Sequence, residues 1–199
     1  ESGRGPLFGR VYAAAVILPK DDTFDFSKIK DSKKFSSKKK IKEVENYIKN
    51  NSLYWSVQYE DEKVIDQINI LQATQKTMHK CIDDILLQMN NNFNTMLLVD
   101  GNYFIPYKSI PSVCIESGDN IYANIAAASI LAKVERDKWI REMCEKYKKL
   151  VEYYNLEKNK GYGTAQHLDG IKKFGISPWH RTTYGCCKNA VLNHEDFYL

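Results

Sequence analysis

The sequence predicts an α/β protein: a mixed sheet flanked by helices, with a helical extension at the C-terminal end. Residues 10–18 and 95–99 are short apolar runs typical of buried strands. Residues 52–60 alternate apolar and polar side chains, as a strand with one covered face does. Between residues 68 and 89 apolar residues recur every three or four positions, which predicts an amphipathic crossover helix. Such alternation of strands and helices favours a layered α/β fold.

Two further helices and one short strand complete the predicted elements. A lysine-rich helix ends near Lys49, and an alanine-rich helix ends near Lys146. The additional strand spans residues 112–115. The candidate N-caps are Ser36 or Ser37 for the first helix, and Asp119 or Asn120 for the second.

Length and composition favour a soluble, cytoplasmic protein. The 199 residues are 43% hydrophobic, enough for one core, and we divide them into a core over 1–145 and a helical and loop extension over 146–199. No tract approaches the roughly 18 apolar residues of a membrane span, and no signal peptide is recognisable. The five cysteines lack C-x-x-C spacing, which argues against a disulfide framework and a zinc site.

Positive charge is concentrated in two parts of the chain. The formal net charge is only +4, but lysines cluster at residues 28–42 and 146–160. Clustered positive charge favours a phosphate-bearing partner, although a solvated lysine-rich surface has the same composition.

Asp100 is the most informative single residue. It ends an apolar run and is followed directly by the turn residues Gly101 and Asn102. In open α/β sheets, ligands bind just outside the carboxyl ends of strands, so an acid there is well placed to hold a metal or to act as a base. Ordinary turn chemistry is the alternative explanation for Asp-Gly-Asn.

Seven motifs together resemble the ribonuclease HII family, in the family's order and over essentially the whole chain. They are Gly-Arg-Gly-Pro-Leu-Phe-Gly at 3–9, Asp-Ser-Lys-Lys-Phe at 31–35, Ile-Asn-Ile-Leu-Gln-Ala-Thr at 68–74, Leu-Val-Asp-Gly-Asn at 98–102, Ala-Ala-Ala-Ser-Ile-Leu-Ala-Lys at 126–133, Lys-Gly-Tyr-Gly-Thr at 160–164 and Ser-Pro-Trp-His-Arg at 177–181. The resemblance implies a ribonuclease H-like fold, with a mixed five-stranded sheet flanked by helices. It also implies a monomeric endonuclease that acts on RNA–DNA hybrids and on DNA duplexes containing ribonucleotides, in ribonucleotide excision repair.

In that family, cleavage leaves 3′-hydroxyl and 5′-phosphate ends and uses Mg²⁺ or Mn²⁺, with two ions held by four carboxylates. Three of these acids match Glu1, Asp100 and Asp119. The fourth is an Asp directly before the position of Glu1, at the end of a central strand, and we expect the natural protein to continue upstream with both. If the protein truly began at Glu1, its activity and stability would be in doubt. Hard oxygen ligands suit these cations, and a pair of ions could activate water and stabilise the leaving 3′-oxygen.

The resemblance also assigns substrate contacts to two glycine-flanked motifs. Gly3, Arg4 and Gly5 match the family segment that recognises the ribose 2′-hydroxyl through its main chain, and glycines allow the close approach this needs. Tyr162 matches the tyrosine that packs on the sugar beside the scissile junction. Without the resemblance, a tight turn between strands is the alternative for the first motif, and an ordinary turn with a surface aromatic is the more common explanation of the second.

Two basic residues are predicted to contact phosphate. Lys33 lies in the family's DNA-phosphate loop, although Lys30 stands where the family usually has Asn. Arg181 is a candidate because guanidinium matches phosphate with two prongs, and a structural salt bridge is the alternative. We interpret His180 as a packed, hydrogen-bonded loop residue and His167 as a surface or packing residue.

There are three alternative interpretations of the sequence. Ribonuclease HIII shares the carboxylates but typically has Gly-Lys-Gly, so Arg4 and the Tyr162 motif favour HII. A non-catalytic binder of RNA–DNA hybrids is compatible with a chain that lacks the first Asp. A nucleotide-dependent phosphotransferase finds no G-x-x-x-x-G-K-[ST] loop to support it.

Overall fold

A computed structural model describes residues 1–20, 23–30, 38–89 and 95–197. Within these ranges the strands are β1 (Val11–Ile17), β2 (Tyr54–Glu60), β3 (Leu97–Asp100) and β4 (Ser112–Ile115). The helices are α1 (Ser27–Lys30), α2 (Lys38–Asn51), α3 (Glu62–Gln88), α4 (Ala123–Lys146), α5 (Lys149–Tyr154), α6 (Leu156–Asn159) and α7 (Ala165–Phe174), with short 3-10 turns at Gly118–Asn120 and Gly185–Asn189.

The strands confirm the predicted α/β class. In the described part of the chain they form two pairs, β1 with β2 and β3 with β4. The second pair is parallel, and its register sets Asp100 opposite Ile115. Asp100 is therefore the last residue of β3, as the apolar run that precedes it predicted.

Of two predicted helix starts, one is wrong and one is close to the observed start. Asp119 and Asn120 do not cap α4, because they lie in a 3-10 turn and the helix begins three residues later at Ala123. The backbone carbonyl of Tyr122 accepts the first bond of α4, from Ala126. Helical residues already begin at Glu62, but the backbone breaks at Asn69, whose φ of 65° is left-handed. A second helical stretch starts directly after Asn69, whose Oδ1 accepts from the Gln72 N–H at 3.1 Å, close to the predicted start near residue 68.

Two expectations fall on residues outside the described ranges. These are the cap at Ser36 or Ser37 and the phosphate contact of Lys33.

Packing divides the chain into two compact units, which are each assembled from separate segments. The first unit comprises Glu1–Ser2, Tyr12–Tyr59 and Thr74–Val134. The second unit comprises Gly3–Val11, Glu60–Ala73 and Glu135–Leu199. The predicted division at residues 145–146 stays a prediction.

Each unit has its own apolar packing. In the first unit, one core cluster includes Ile48, Ala127 and Leu131, and a second is built around Val99 and Phe104. In the second unit, a cluster forms around three buried residues, Val11, Ile65 and Ala73. Helix α7 approaches α5 closely there, since a β-carbon at Gly170 would lie 2.0 Å from the Tyr153 carbonyl oxygen.

Two exclusions drawn from the sequence concern cysteines and membrane spans. All five cysteines lie within the described ranges as free thiols. Over the described ranges, every helix is too short or too polar to cross a membrane.

Candidate active site

Asp100 is held rigidly at the end of β3. The backbone N–H of Gly101 donates to the Ile115 carbonyl at 3.0 Å, which extends the β3–β4 pairing past the acid. Gly101 has a φ of 110°, so the chain turns sharply directly after the carboxylate. The Asp100 Oδ1 atom accepts a 2.9 Å hydrogen bond from the backbone N–H of Gly118. One oxygen of the carboxylate is thereby oriented by the main chain of the next turn.

Glu1 and Asp100 line the same cavity in the first unit. Glu1 is half-buried, and the neighbouring Ser2 exchanges two backbone hydrogen bonds of 2.9 Å with Tyr12. The cavity is about 600 Å³ and its walls are mostly apolar side chains from β1, α3, β3 and α4. Asn124, in the first turn of α4, adds an amide group to the same lining. Sequence reasoning missed Asn124, and its only signal was a polar residue in an otherwise alanine-rich first turn.

Asp119 lies one residue beyond the hydrogen-bond donor of Asp100. It is half-buried in the 3-10 turn, and it lines a second cavity of about 500 Å³, together with residues of α2 and α4. Across the described ranges, no three His, Cys, Asp or Glu side chains are grouped closely enough to hold a metal ion. The structure thus brings Glu1 and Asp100 to one cavity, and a three-carboxylate metal site stays a prediction.

In the second unit, the Gly-Arg-Gly and Gly-Tyr-Gly motifs lie against each other. The backbone N–H of Leu7 donates to the Gly161 carbonyl at 2.8 Å. The Tyr162 ring lies over Gly5, because a β-carbon on that glycine would be 3.4 Å from the ring. The ring is 50% exposed. Gly5 and Gly161 are 156 positions apart in sequence. The two motifs nevertheless form one surface, in which the Tyr162 ring lies beside glycine main chain.

The buried guanidinium of Arg181 holds the main chain of the Gly-Arg-Gly segment by hydrogen bonds. Arg181 is fully buried, and its nitrogens donate to five backbone carbonyls of the N-terminal segment. The accepting carbonyls belong to Gly3, Arg4, Pro6, Gly9 and Arg10. Burial lowers the pKa of Arg181 to about 10, which still leaves it protonated at neutral pH.

This geometry does not support the prediction that Arg181 contacts a substrate phosphate. The side chain lies in the interior of the second unit, and its N–H groups donate to main-chain carbonyls. The predicted alternative, a salt bridge, is not what is seen either, since its acceptors are carbonyl groups. The sequence could not show this, because five acceptors from one loop converge only after folding.

Gly3 and Gly5 serve different purposes in the same segment. Gly3 has a φ of 96°, and a β-carbon there would lie 2.3 Å from Nε of the buried Arg136. Gly3 is therefore required by internal packing. Gly5 faces the Tyr162 ring, and Arg4 between them is exposed with its carbonyl bonded to Arg181 and to the Tyr184 hydroxyl.

The Ser-Pro-Trp-His-Arg loop is anchored on both sides. The Asp66 carboxylate accepts hydrogen bonds from the backbone and hydroxyl groups of Thr182 and Thr183. Burial alone would raise the pKa of Asp66, but these hydrogen bonds outweigh it and lower the pKa. The backbone N–H of Arg181 donates to the Leu7 carbonyl at 2.8 Å. The loop that supplies Arg181 is thus itself fixed.

Comparisons with known proteins agree with one another. A sequence model of the family described as Ribonuclease HII matches residues 1–187. A Ribonuclease HII of Bacteroides thetaiotaomicron is 40% identical over 195 residues, which cover 97% of this chain and 90% of that protein. Among solved structures, the RNase HII of Archaeoglobus fulgidus, in its complex with PCNA, has a TM-score of 0.70 at 22% identity and covers 93% of this chain and 92% of its own.

A more distant structure is Bst-RNase HIII in complex with Mn²⁺. Its TM-score is 0.59 at 18% identity, and the match covers 88% of this chain and 61% of that one. At this identity the likeness concerns the fold alone. The higher identity and coverage of the HII relative separate this chain from the HIII alternative.

Proposed function

The chain belongs to the ribonuclease HII family and is a ribonuclease H enzyme, and from that premise we propose that it hydrolyses the RNA strand of RNA–DNA hybrids. We include cleavage 5′ of single ribonucleotides embedded in duplex DNA, with 3′-hydroxyl and 5′-phosphate products, as in ribonucleotide excision repair. A monomer acting in the cytoplasm is part of the same proposal.

The observation that carries this proposal is the packing of Tyr162 over Gly5. A half-exposed aromatic ring offers a flat face for a sugar, and the adjacent glycine leaves the main chain open to a 2′-hydroxyl. The 2′-hydroxyl, as donor and acceptor, is what distinguishes RNA from DNA at one nucleotide. Arg181 holds the neighbouring carbonyls in a set arrangement, so the main chain is organised before substrate arrives.

The acidic residues fit a hard divalent cation in ligand type. Glu1 and Asp100 supply carboxylate oxygens at one cavity, and Asp119 follows the residue that orients Asp100. We propose that these three residues hold Mg²⁺ or Mn²⁺, which when bound activates a water molecule and stabilises the leaving 3′-oxygen. Gly118 keeps one Asp100 oxygen oriented by its N–H, so the carboxylate is presented in a single pose.

The test is a cleavage assay with three matched duplexes. One carries a single ribonucleotide, one carries four, and one is all DNA, and each is incubated with Mg²⁺ or with Mn²⁺. We expect cleavage of the first two and none of the third, with loss of all cleavage in EDTA. Cleavage of the all-DNA duplex, or cleavage that survives EDTA, would contradict the proposal.

A further inference from the structure

Two buried histidines of the second unit form a continuous hydrogen-bonded chain. His167 Nδ1 lies 2.9 Å from the Tyr162 carbonyl oxygen, and His167 Nε2 lies 2.9 Å from Nε2 of His180. At the far end, His180 Nδ1 is 3.0 Å from the backbone nitrogen of Ser177 and 2.8 Å from its Oγ. Both rings are almost completely buried. The chain therefore connects the Tyr162 main chain to the Ser177–Arg181 loop.

One arrangement of protons satisfies the whole chain. A carbonyl only accepts, so His167 Nδ1 carries the proton and donates to Tyr162. The neutral His167 ring then has an acceptor at Nε2, so His180 Nε2 must be the donor. His180 Nδ1 is left as an acceptor, and it receives the Ser177 N–H. Every ring nitrogen has a hydrogen-bond partner, and both rings are neutral.

An extra proton has no place in this chain. A second proton on His167 would set two N–H groups against each other across the 2.9 Å contact, and one on His180 would oppose the Ser177 N–H. Burial lowers the pKa of both histidines, in keeping with the neutral pair. The Tyr154 ring lies 4.8 Å from the His180 ring, and its hydroxyl donates instead to the Gly175 carbonyl.

The hydrogen-bonded chain of the two histidines ends at the backbone carbonyl of Tyr162, the residue that carries the exposed ring. The Tyr162 carbonyl accepts from His167 and, at 2.8 Å, from the N–H of Thr164. Thr164 also caps α7 by accepting from the His167 N–H at 3.4 Å. The Tyr162 backbone is thus fixed from one side by α7 and its buried histidine, while the ring extends over Gly5 into solvent.

We propose that His167 and His180 are positioning residues that hold Tyr162 in the pose needed to select a single ribonucleotide. His167 supplies the donor to Tyr162, and His180 forces His167 into the tautomer that donates. This inference rests on the proposed function, because it assumes that the Tyr162 ring contacts the sugar. It assigns a specificity role to two histidines that do not themselves touch substrate.

The test is a double-mutant cycle between His167 and Tyr162. We expect His167→Leu to lower kcat/KM on the single-ribonucleotide duplex by about ten- to a hundredfold, as misplacement of a positioning group does. The loss on the four-ribonucleotide duplex should be clearly smaller. In the Tyr162→Ala background, the same His167→Leu change should cost less than about twofold, because the ring whose pose His167 sets is gone although the main-chain carbonyl remains. Full additivity of the two changes would overturn the proposal.

A pair of amide variants covers the case in which His167→Leu does not fold. In His167→Asn the amide nitrogen occupies the place of Nδ1 and keeps the donor to Tyr162. In His167→Gln the amide reaches the place of Nε2 and loses that donor. The ratio of activities on the two substrates should stay near wild type for Asn and fall for Gln. Equal ratios for the two variants would also overturn the proposal.

A control variant separates positioning from general destabilisation. His79 of the first unit likewise contacts a backbone carbonyl, that of Ile105 at 2.9 Å, and we expect His79→Leu to leave the substrate ratio unchanged. If His79→Leu changed the substrate ratio as much as His167→Leu does, the effect of His167→Leu would be explained by lost stability and not by positioning. If the wild-type protein cleaves neither ribonucleotide substrate, the proposed function fails; if it cleaves both and the cycle is additive, only the positioning role fails.

Discussion

Replacing Arg181 with lysine tests whether this residue is an internal scaffold or a phosphate ligand. The guanidinium donates to five main-chain carbonyls, at 2.8 to 3.3 Å for four of them. A lysine ammonium has three donors, so at least two of the five hydrogen bonds are lost. At about 1.5–3 kcal/mol for each charge-assisted bond, Arg181→Lys should lower the free energy of unfolding by about 3–6 kcal/mol. That is a large part of the roughly 5–15 kcal/mol that stabilises a typical domain.

Urea unfolding followed by circular dichroism measures this loss, with Arg141→Lys as the matched control. Arg141 is exposed on α4, so the control should change the free energy of unfolding by less than about 0.5 kcal/mol. Binding of a duplex at several salt concentrations distinguishes the alternative. If Arg181 were a phosphate ligand, Arg181→Lys would leave stability nearly intact, and the charge-removing Arg181→Gln would lower the salt slope by about one. That second outcome would refute the scaffold argument for Arg181.

Three further predictions follow from the site. Asp100→Asn should abolish turnover but keep the fold, because the amide oxygen still accepts the Gly118 N–H; cleavage near the wild-type rate with a native circular dichroism spectrum would exclude the role of Asp100. Tyr162→Ala should reduce kcat/KM on a single ribonucleotide more than on a long hybrid, and equal losses in parallel assays would contradict its sugar contact. Burial lowers the pKa of His167 and His180, so the unfolded chain binds protons below about pH 6.5 that the folded chain rejects. The free energy of unfolding should therefore fall as the pH drops from 7.5 to 5.5, by up to about 1.4 kcal/mol per pH unit and histidine. His167→Asn should flatten this dependence in urea titrations, and an identical slope in both proteins would show that the pair is not responsible.

The strands were predictable because their signal is local. The apolar run before Asp100 specifies β3 and its end, and the alternation in residues 52–60 specifies β2. Helix starts were less predictable, because α4 begins at Ala123 where the chain leaves a 3-10 turn, and the side chains of Asp119 and Asn120 resemble caps that the fold does not use.

The candidate site also contains residues that the sequence could predict and residues that it could not. Residue types and motif order were sufficient to nominate Glu1, Asp100, Asp119 and Tyr162, because their chemistry is visible in the side chains themselves. The roles of Arg181 and of the buried histidines could not be predicted from the sequence, since each role depends on partners distant in sequence. The Arg181–Gly3 contact spans 178 positions, and no local pattern encodes which carbonyl groups a buried guanidinium will meet.

By itself the sequence determined the α/β class, the family, and an acid at the end of a strand, since hydrophobic periodicity and motif order are properties of neighbouring residues. Tertiary structure alone decided that Glu1 and Asp100 share a cavity, that Tyr162 lies over Gly5, and that Arg181 points inward. The physical reason is that a buried polar group must satisfy its hydrogen bonds with whatever the fold places around it. Those partners exist only once the chain has folded.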